Sequence, residues 1–292
     1  MRGECNLAKC AVCGRKGLFL KLNNQGLCSQ CELAKKESAQ QEELRKKEEI
    51  RQKREDFLKC KLFQAQQELD NLPHHNIVIS DEKRVRQKGF EEVSFSNITP
   101  KGKYNEFVVF DTETTGLAPF RDRIVEIAAI RFVNGSAIEI FETLVNPGKN
   151  IPDEVSSINH ITNEMVSNAP TISQVFPAFE SFVGSSPLVA HNLEFDLKFL
   201  YYSGSYITRD KRKYFDTLEQ AKKLLKKPRV KYDREYDIWE TDYESDYDVE
   251  DYKLETLCDY YNIIIPYQHR AASDALATGK LFLSLVDEKQ NR

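Results

Sequence analysis

The sequence predicts an α/β domain over residues 105–288, preceded by a small cysteine-rich module and a long helix. Three observations predict it. Apolar runs at Phe107–Asp111, Ile124–Phe132 and Ala137–Val145 read as strands, and from Ile172 onward helical spacing alternates with a short apolar strand. Residues 32–72 hold no Gly or Pro and are dominated by strong helix formers. Five of the seven cysteines fall within the first 31 residues.

The 292 residues, 40% hydrophobic and 30% charged, suffice for one or two domains with a buried core and for material outside it. No run of 18 apolar residues occurs and the N-terminus lacks an apolar signal region, which predicts a soluble, cytoplasmic protein with no membrane partner. The net charge of -4 is unevenly spread. Residues 1–100 carry 19 Lys and Arg against 15 Asp and Glu, while residues 232–252 carry 10 acidic side chains against Arg234 alone. Without that one stretch the C-terminal part is close to neutral, so an acidic total does not exclude a nucleic-acid partner.

Cys10 and Cys13 form one Cys-x-x-Cys pair, and Cys28 and Cys31 form a second after 14 intervening residues. Four thiolates at this spacing can close a tetrahedral Zn²⁺ site, and metal would supply the folding energy that so small a segment lacks. Gly14 permits a tight knuckle, and Leu18–Leu22 with Asn23–Gly26 suggests a strand and turn between the pairs. The expected module spans 1–31, with Cys5 as a spare thiol and Cys60 and Cys258 as ordinary ones. It can serve nucleic-acid binding, protein docking or helix capping. The helix expected over 32–72 would be roughly 60 Å long. Its apolar positions (Leu44, Ile50, Phe57, Leu58, Leu62, Leu69) recur too irregularly to define a coiled coil, and a solvated spacer or a dimerising stalk both fit. Residues 73–104 read as a linker, with a short strand at Ile77–Ile79.

Within 105–288, Asn134-Gly135 between two apolar runs signals a hairpin. Leu188–Ala190 reads as a strand. Ile172–Val183, Leu193–Tyr202 and segments near 216–227, 253–261 and 271–286 read as helices. Residues 228–252, rich in Asp, Glu and Tyr, read as a solvated insertion. A protein-docking loop, or an acidic segment competing for Lys211, Arg212, Lys213, Lys222, Lys223, Lys226 and Lys227, are the other readings.

Four pieces of this domain carry chemistry. Asp111 and Glu113 lie two apart at the end of an apolar strand, so both carboxylates face one side. Asp196 follows His191-Asn192 after the short strand, His269 and Asp274 lead into the last helix, and Asn159-His160-Ile161-Thr162 lies between. Carboxylates converging in a cleft repel one another unless hard cations such as Mg²⁺ sit among them. Two such ions about 3.5–4 Å apart suit phosphodiester cleavage, in which charge develops on the attacking and leaving oxygens. An imidazole nearby can take the proton of the attacking water.

These pieces resemble the DEDDh 3′→5′ exonuclease superfamily, in the family's order, over about 105–288. They are most similar to the proofreading epsilon subunit of DNA polymerase III and the exonuclease domain of the Gram-positive replicative polymerase. The resemblance implies an RNase H-like fold, a mixed sheet flanked by helices. It implies Asp111, Glu113, Asp196 and Asp274 as ligands of two Mg²⁺ or Mn²⁺ ions, and His269 as general base. Thr114, Leu117, His160, Asn192 and Phe195 match positions that line the pocket for the terminal nucleotide. A sister group has Tyr four residues before the last Asp, where this chain has Arg270, so the histidine form applies. The implied activity is hydrolysis of single-stranded nucleic acid from the 3′ end, DNA favoured, to nucleoside 5′-monophosphates, in replication or repair. An exoribonuclease, or a zinc and helix adaptor with a non-cleaving domain, are the alternatives. A replication or repair protein is the expected partner of the zinc module or helix.

Overall fold

The computed structural model describes residues 8–17, 20–81, 84, 105–207, 212–233, 236 and 238–291. Two compact units divide the chain, residues 1–61 and 62–292.

In the first unit, β1 (Ala8–Lys9) and β2 (Lys16–Gly17) pair antiparallel. Gly14 and Gly26 take left-handed φ values of 70° and 71°, which a side chain would resist. Asn23 Oδ1 accepts from the N–H groups of Gln25 and Leu27 at 2.9 and 3.0 Å, closing the turn expected there. Of the strand expected at Leu18–Leu22, residues 18 and 19 lie outside the described residues and Leu22 bridges Cys28. Helix α1 (Ser29–Asp70) follows. Its solvated length is laced by same-face pairs, among them Lys36–Glu32, Lys47–Glu43 and Lys53–Glu49, each adding about 0.2–0.5 kcal/mol.

The second unit is organised by β3 (Glu106–Thr114), the middle strand of five in the order β5-β4-β3-β6-β7. β4 (Ile124–Val133) and β5 (Ser136–Leu144) complete an antiparallel meander, while β6 (Leu188–Ala190) and β7 (Tyr214–Asp216) run parallel to β3. The sheet is therefore mixed, and flanked by helices as the RNase H-like reading requires. Positive φ at both Asn134 and Gly135 (51° and 83°) makes the predicted hairpin turn.

Period-two alternation assigns the two faces of β3. Val108 and Phe110 pack with α4 (Ile172–Val183) and α5 (Leu193–Tyr202), through Phe176, Phe179, Leu197 and Leu200. Phe107 and Val109 pack with α8 (Ala271–Asn291), through Ala272, Leu276 and Phe282. Leu69 and Leu72, from the end of α1 and just beyond, are buried in this second layer. α2 (Asp153–Asn159) and α3 (Asn163–Val166) precede α4. α6 (Thr217–Leu224) and α7 (Leu254–Tyr260) cover Leu281 and Leu285 of α8.

The segment from Pro73 lies along β5. The Ile140 N–H donates to Pro73 O at 2.9 Å, and the His75 N–H donates back to Ile140 O at 2.7 Å. The His75 ring meets the edge of Phe182 at 5.1 Å, and Arg84 forks onto Glu180 at 3.0 and 3.3 Å. Ile77–Ile79 does not form the expected strand; the pairing in this segment is the bridge between His74 and Ile140.

The acidic insertion contains a hairpin that periodicity did not reveal, β8 (Arg229–Asp233) against β9 (Ile238–Asp242). Charged positions alternate along both strands, and Lys231 sits between Glu240 and Asp242 at 3.3 and 3.7 Å.

Candidate active site

Asp111 and Glu113 occupy the C-terminal part of β3 and point to its α8 side, in phase with Phe107 and Val109. Asp274 meets them from the first turn of α8. One carboxylate oxygen from each of the three lies within 4.8 Å of the others. Asp196 belongs to the first turn of α5, on the opposite layer. It is buried and accepts from Thr112 Oγ1 at 2.6 Å, Thr112 being the β3 residue that faces that layer. The structure thus brings three of the four predicted carboxylates into one cluster and sets Asp196 beside Asp111, turned toward Thr112.

Burial and mutual repulsion shift all four upward. Burial, then Glu126, pushes Asp111 up to about 7. Burial followed by Asp111 and Asp274 raises Glu113 to about 9, and burial followed by Asp111 and Glu255 raises Asp274 to about 8. Asp196 is raised well above the ordinary carboxylate range, by burial and then by Asp111. Buried Asn159 Nδ2 stands within electrostatic reach of Glu113 but makes no hydrogen bond of normal geometry. An all-oxygen donor set that is too acidic for its own burial fits a hard divalent cation.

His269 precedes α8 with φ 54°, half exposed, its Nε2 3.7 Å from Glu255 Oε1. Thr114 is buried and donates to Gly116 O at 2.7 Å, whereas Leu117 beyond it is 82% exposed. A Cβ at Gly116, φ 158°, would meet Asp122 Oδ2 at 2.5 Å, so that turn requires glycine. His160 (φ 58°) is exposed at the C-cap of α2. Asn192 (φ 61°) is exposed at the start of α5, with its N–H on Asp216 Oδ1 at 3.1 Å. Phe195 is half-buried, its ring 4.9 Å from that of Phe199.

Sequence reading missed the supports. Asp216 accepts from Asn192 and Leu193 and also caps α6 through Leu218 and Glu219. Burial lowers His191 to about 4, so its ring is neutral. Nε2–H then donates to Tyr252 O at 3.0 Å and Nδ1 accepts from Thr217 Oγ1 at 2.9 Å. Glu126, 3% exposed, accepts from Arg270 and from the Ala271 N–H. Its signal was available, as a lone charge inside the apolar run Ile124–Ile130 that had to find a partner.

In the first unit the Sγ atoms of Cys10, Cys13, Cys28 and Cys31 also fall within 4.8 Å of one another. Backbone N–H groups of Cys28, Cys13 and Val12 bring Cys10 down to about 6, while the Cys13 thiol and burial push Cys31 up to about 12. Four sulfurs in this grouping fit a tetrahedral Zn²⁺, which would hold them as thiolates. Cys60 is exposed, Cys258 is buried and pushed up to about 12, and Cys5 lies outside the described residues. Among the described residues no helix is long and apolar enough to cross a membrane.

Comparison with known proteins gives the same domain. The exonuclease family of RNase T type matches residues 108–282. A DNA polymerase III of PolC type from Caldanaerobacter subterraneus subsp. tengcongensis is 33% identical over 186 residues, 63% of this chain and 12% of that protein. A DNA polymerase III subunit epsilon-like protein from Rhodobacter capsulatus is 52% identical over 105 residues, 35% of this chain and 15% of that protein. The chain therefore spans only a small fraction of the length of the curated relatives it matches. Among solved structures, an exonuclease X bound to 5′-overhanging duplex DNA is 25% identical with a TM-score of 0.46, covering 63% of this chain and 93% of its own. E. coli exonuclease I with a dA16 oligonucleotide is 21% identical with a TM-score of 0.47, covering 63% and 42%. The family match runs over more than half of the chain and over the whole acidic cluster, and the chain thereby belongs to the RNase T-type exonucleases, the 3′→5′ enzymes of DEDD class.

Proposed function

We propose that the protein is a divalent-metal-dependent exonuclease that removes nucleoside 5′-monophosphates from the 3′ end of single-stranded nucleic acid, DNA in preference to RNA. The observation that carries this reading is the half-buried cluster of Asp111, Glu113 and Asp274, with buried Asp196 beside it. These four side chains would hold two Mg²⁺ or Mn²⁺ ions. Bound there, the ions would relieve the carboxylate repulsion and stabilise charge on the attacking and leaving oxygens. His269 accepts the proton of the attacking water, and its partial exposure leaves a route for that proton to solvent. Exposed Leu117, His160 and Asn192 contact the terminal nucleotide, while Thr114 and Phe195 shape the floor beneath it. The preference for DNA is drawn from relatives named as DNA polymerase III proteins.

The expected organisation is a zinc module over 1–31, a helix over 32–72, a linker over 73–104 and the nuclease over 105–288 with its insertion at 228–252. In it the module or helix recruits the enzyme to a replication or repair protein. Replacing Cys28 and Cys31 by Ser is expected to abolish bound zinc, read by metal analysis of the purified chain. One zinc per chain in that variant would remove the four-cysteine site.

The test of activity is cleavage of 5′-labelled single-stranded DNA and RNA of one sequence, with Mg²⁺, Mn²⁺ or EDTA, beside Asp111→Ala. A ladder shortening from the 3′ end, metal-dependent and absent in the variant, is expected, faster on DNA. Faster cleavage of RNA would make the enzyme an exoribonuclease, and no cleavage of either would leave the adaptor reading.

A further inference from the structure

Glu126 lies directly opposite Glu113 in the β3–β4 pair and faces the same layer, yet it stands outside the metal-competent cluster. Its lone pairs are taken. Arg270 Nε donates to Oε1 and Oε2 at 3.1 and 3.2 Å, Arg270 Nη2 donates to Oε1 at 2.5 Å, and the Ala271 N–H donates to Oε2 at 2.9 Å. Two consecutive residues are thereby fixed to the strand that borders the metal ligands. The residue just before them is His269, in the left-handed region, where a non-glycine side chain persists only if its surroundings hold it. Just after them, the Asp274 N–H donates to Arg270 O at 3.0 Å, closing the first turn of α8.

We propose that Glu126 is a positioning residue for the reaction: by clamping Arg270 and the N-terminus of α8, it sets the backbone conformation that presents His269 to the metal site. The inference rests on the exonuclease reading above. The alternative role for a buried carboxylate here, a further metal ligand, is opposed by the three N–H groups that already donate to it. Arg270 is suited to the task because its planar fork addresses both carboxylate oxygens, which a Lys ammonium cannot do.

The test compares the full chain with Glu126→Gln and with Arg270→Lys, the latter keeping the positive charge at a side chain 38% exposed. In both variants kcat on single-stranded DNA is expected to fall about 10- to 100-fold with KM nearly unchanged, the scale of a misplaced catalytic group. Mn²⁺ affinity, measured by calorimetry, stays near the parent value. In ¹⁵N-histidine spectra the His269 imidazole signal, assigned by its loss in His269→Ala, moves in both variants. An unmoved signal with parental kcat overturns the proposal, and so does loss of Mn²⁺ binding, which would make Glu126 a ligand. Should the parent chain cleave nothing, the exonuclease reading fails, and the His269 signal still decides whether Glu126 positions that residue.

Discussion

At the scale of residues, the site is a problem of excess negative charge, and the solution leaves a measurable trace. Asp111, Glu113 and Asp274 have folded-state values near 7, 9 and 8, against roughly 4 in an unfolded chain. A carboxyl raised in this way binds more protons folded than unfolded, so its favourable contribution is complete at low pH and is lost as pH climbs through the folded value. The metal-free protein should therefore lose thermal stability from about pH 4 up to about 9, the slope easing above 7, and Mn²⁺ should restore more of it at pH 9 than at pH 6. Melting in EDTA and in Mn²⁺ across that range checks this, and a flat EDTA profile would mean the three groups are not crowded. The residue types of this site were legible in sequence because their chemistry is carried by identity and order. The left-handed conformations at His160, Asn192 and His269 were not, since only tertiary contacts impose φ values of 54–61° on non-glycine residues.

At the scale of elements, legibility followed apolar periodicity. β3, β4, β5, α4 and α8 announce themselves by long runs with one period. Three-residue β7 is too short to carry a period, and the β8–β9 ribbon has only an exposed apolar side, Val230, Tyr232 and Trp239, opposite its charged positions. Gly279 shows where local propensity misleads. In mid-helix a glycine costs about 1 kcal/mol relative to Ala, so propensity alone favours Gly279→Ala. In the structure a Cβ there would overlap the ring of Phe132, which is itself stacked on Phe107 at 5.0 Å between centroids. Neither ring has room to retreat, because Phe107 also meets Phe282 at 4.7 Å. Gly279→Ala is therefore expected to destabilise by about 1–3 kcal/mol, the usual cost of overpacking a filled core. Urea unfolding gives the sign directly, and a more stable variant would mean that α8 sits farther from β4.

At the scale of the whole molecule, the question is where the nuclease begins. The family match starts at 108 and sequence texture suggests 105, but the second compact unit starts at Leu62. The difference is physical. Leu69 and Leu72 are 6% and 7% exposed within the α8 layer, Ile77 packs on the α4 layer, and the chain between them bonds to Ile140 on the outer strand. Sequence could not show this, because the helix pattern ends at Pro73 and the following His-His-Asn has no period to match to a sheet edge. A chain of residues 62–292 should keep the unfolding midpoint of the nuclease unit and cleave a short oligonucleotide at the full-length rate. A chain of residues 105–292 uncovers the two leucines, each contributing about 1.5–3 kcal/mol when fully buried, out of a total that for most domains is about 5–15 kcal/mol. It should melt far lower or fail to accumulate as folded protein, although every predicted catalytic residue is still present. Equal stability of the two truncations would place residues 62–81 outside the core and return the boundary to 105. A stable 62–292 chain beside a failing 105–292 chain would show that the end of the long helix is nuclease core, whatever the rest of that helix does.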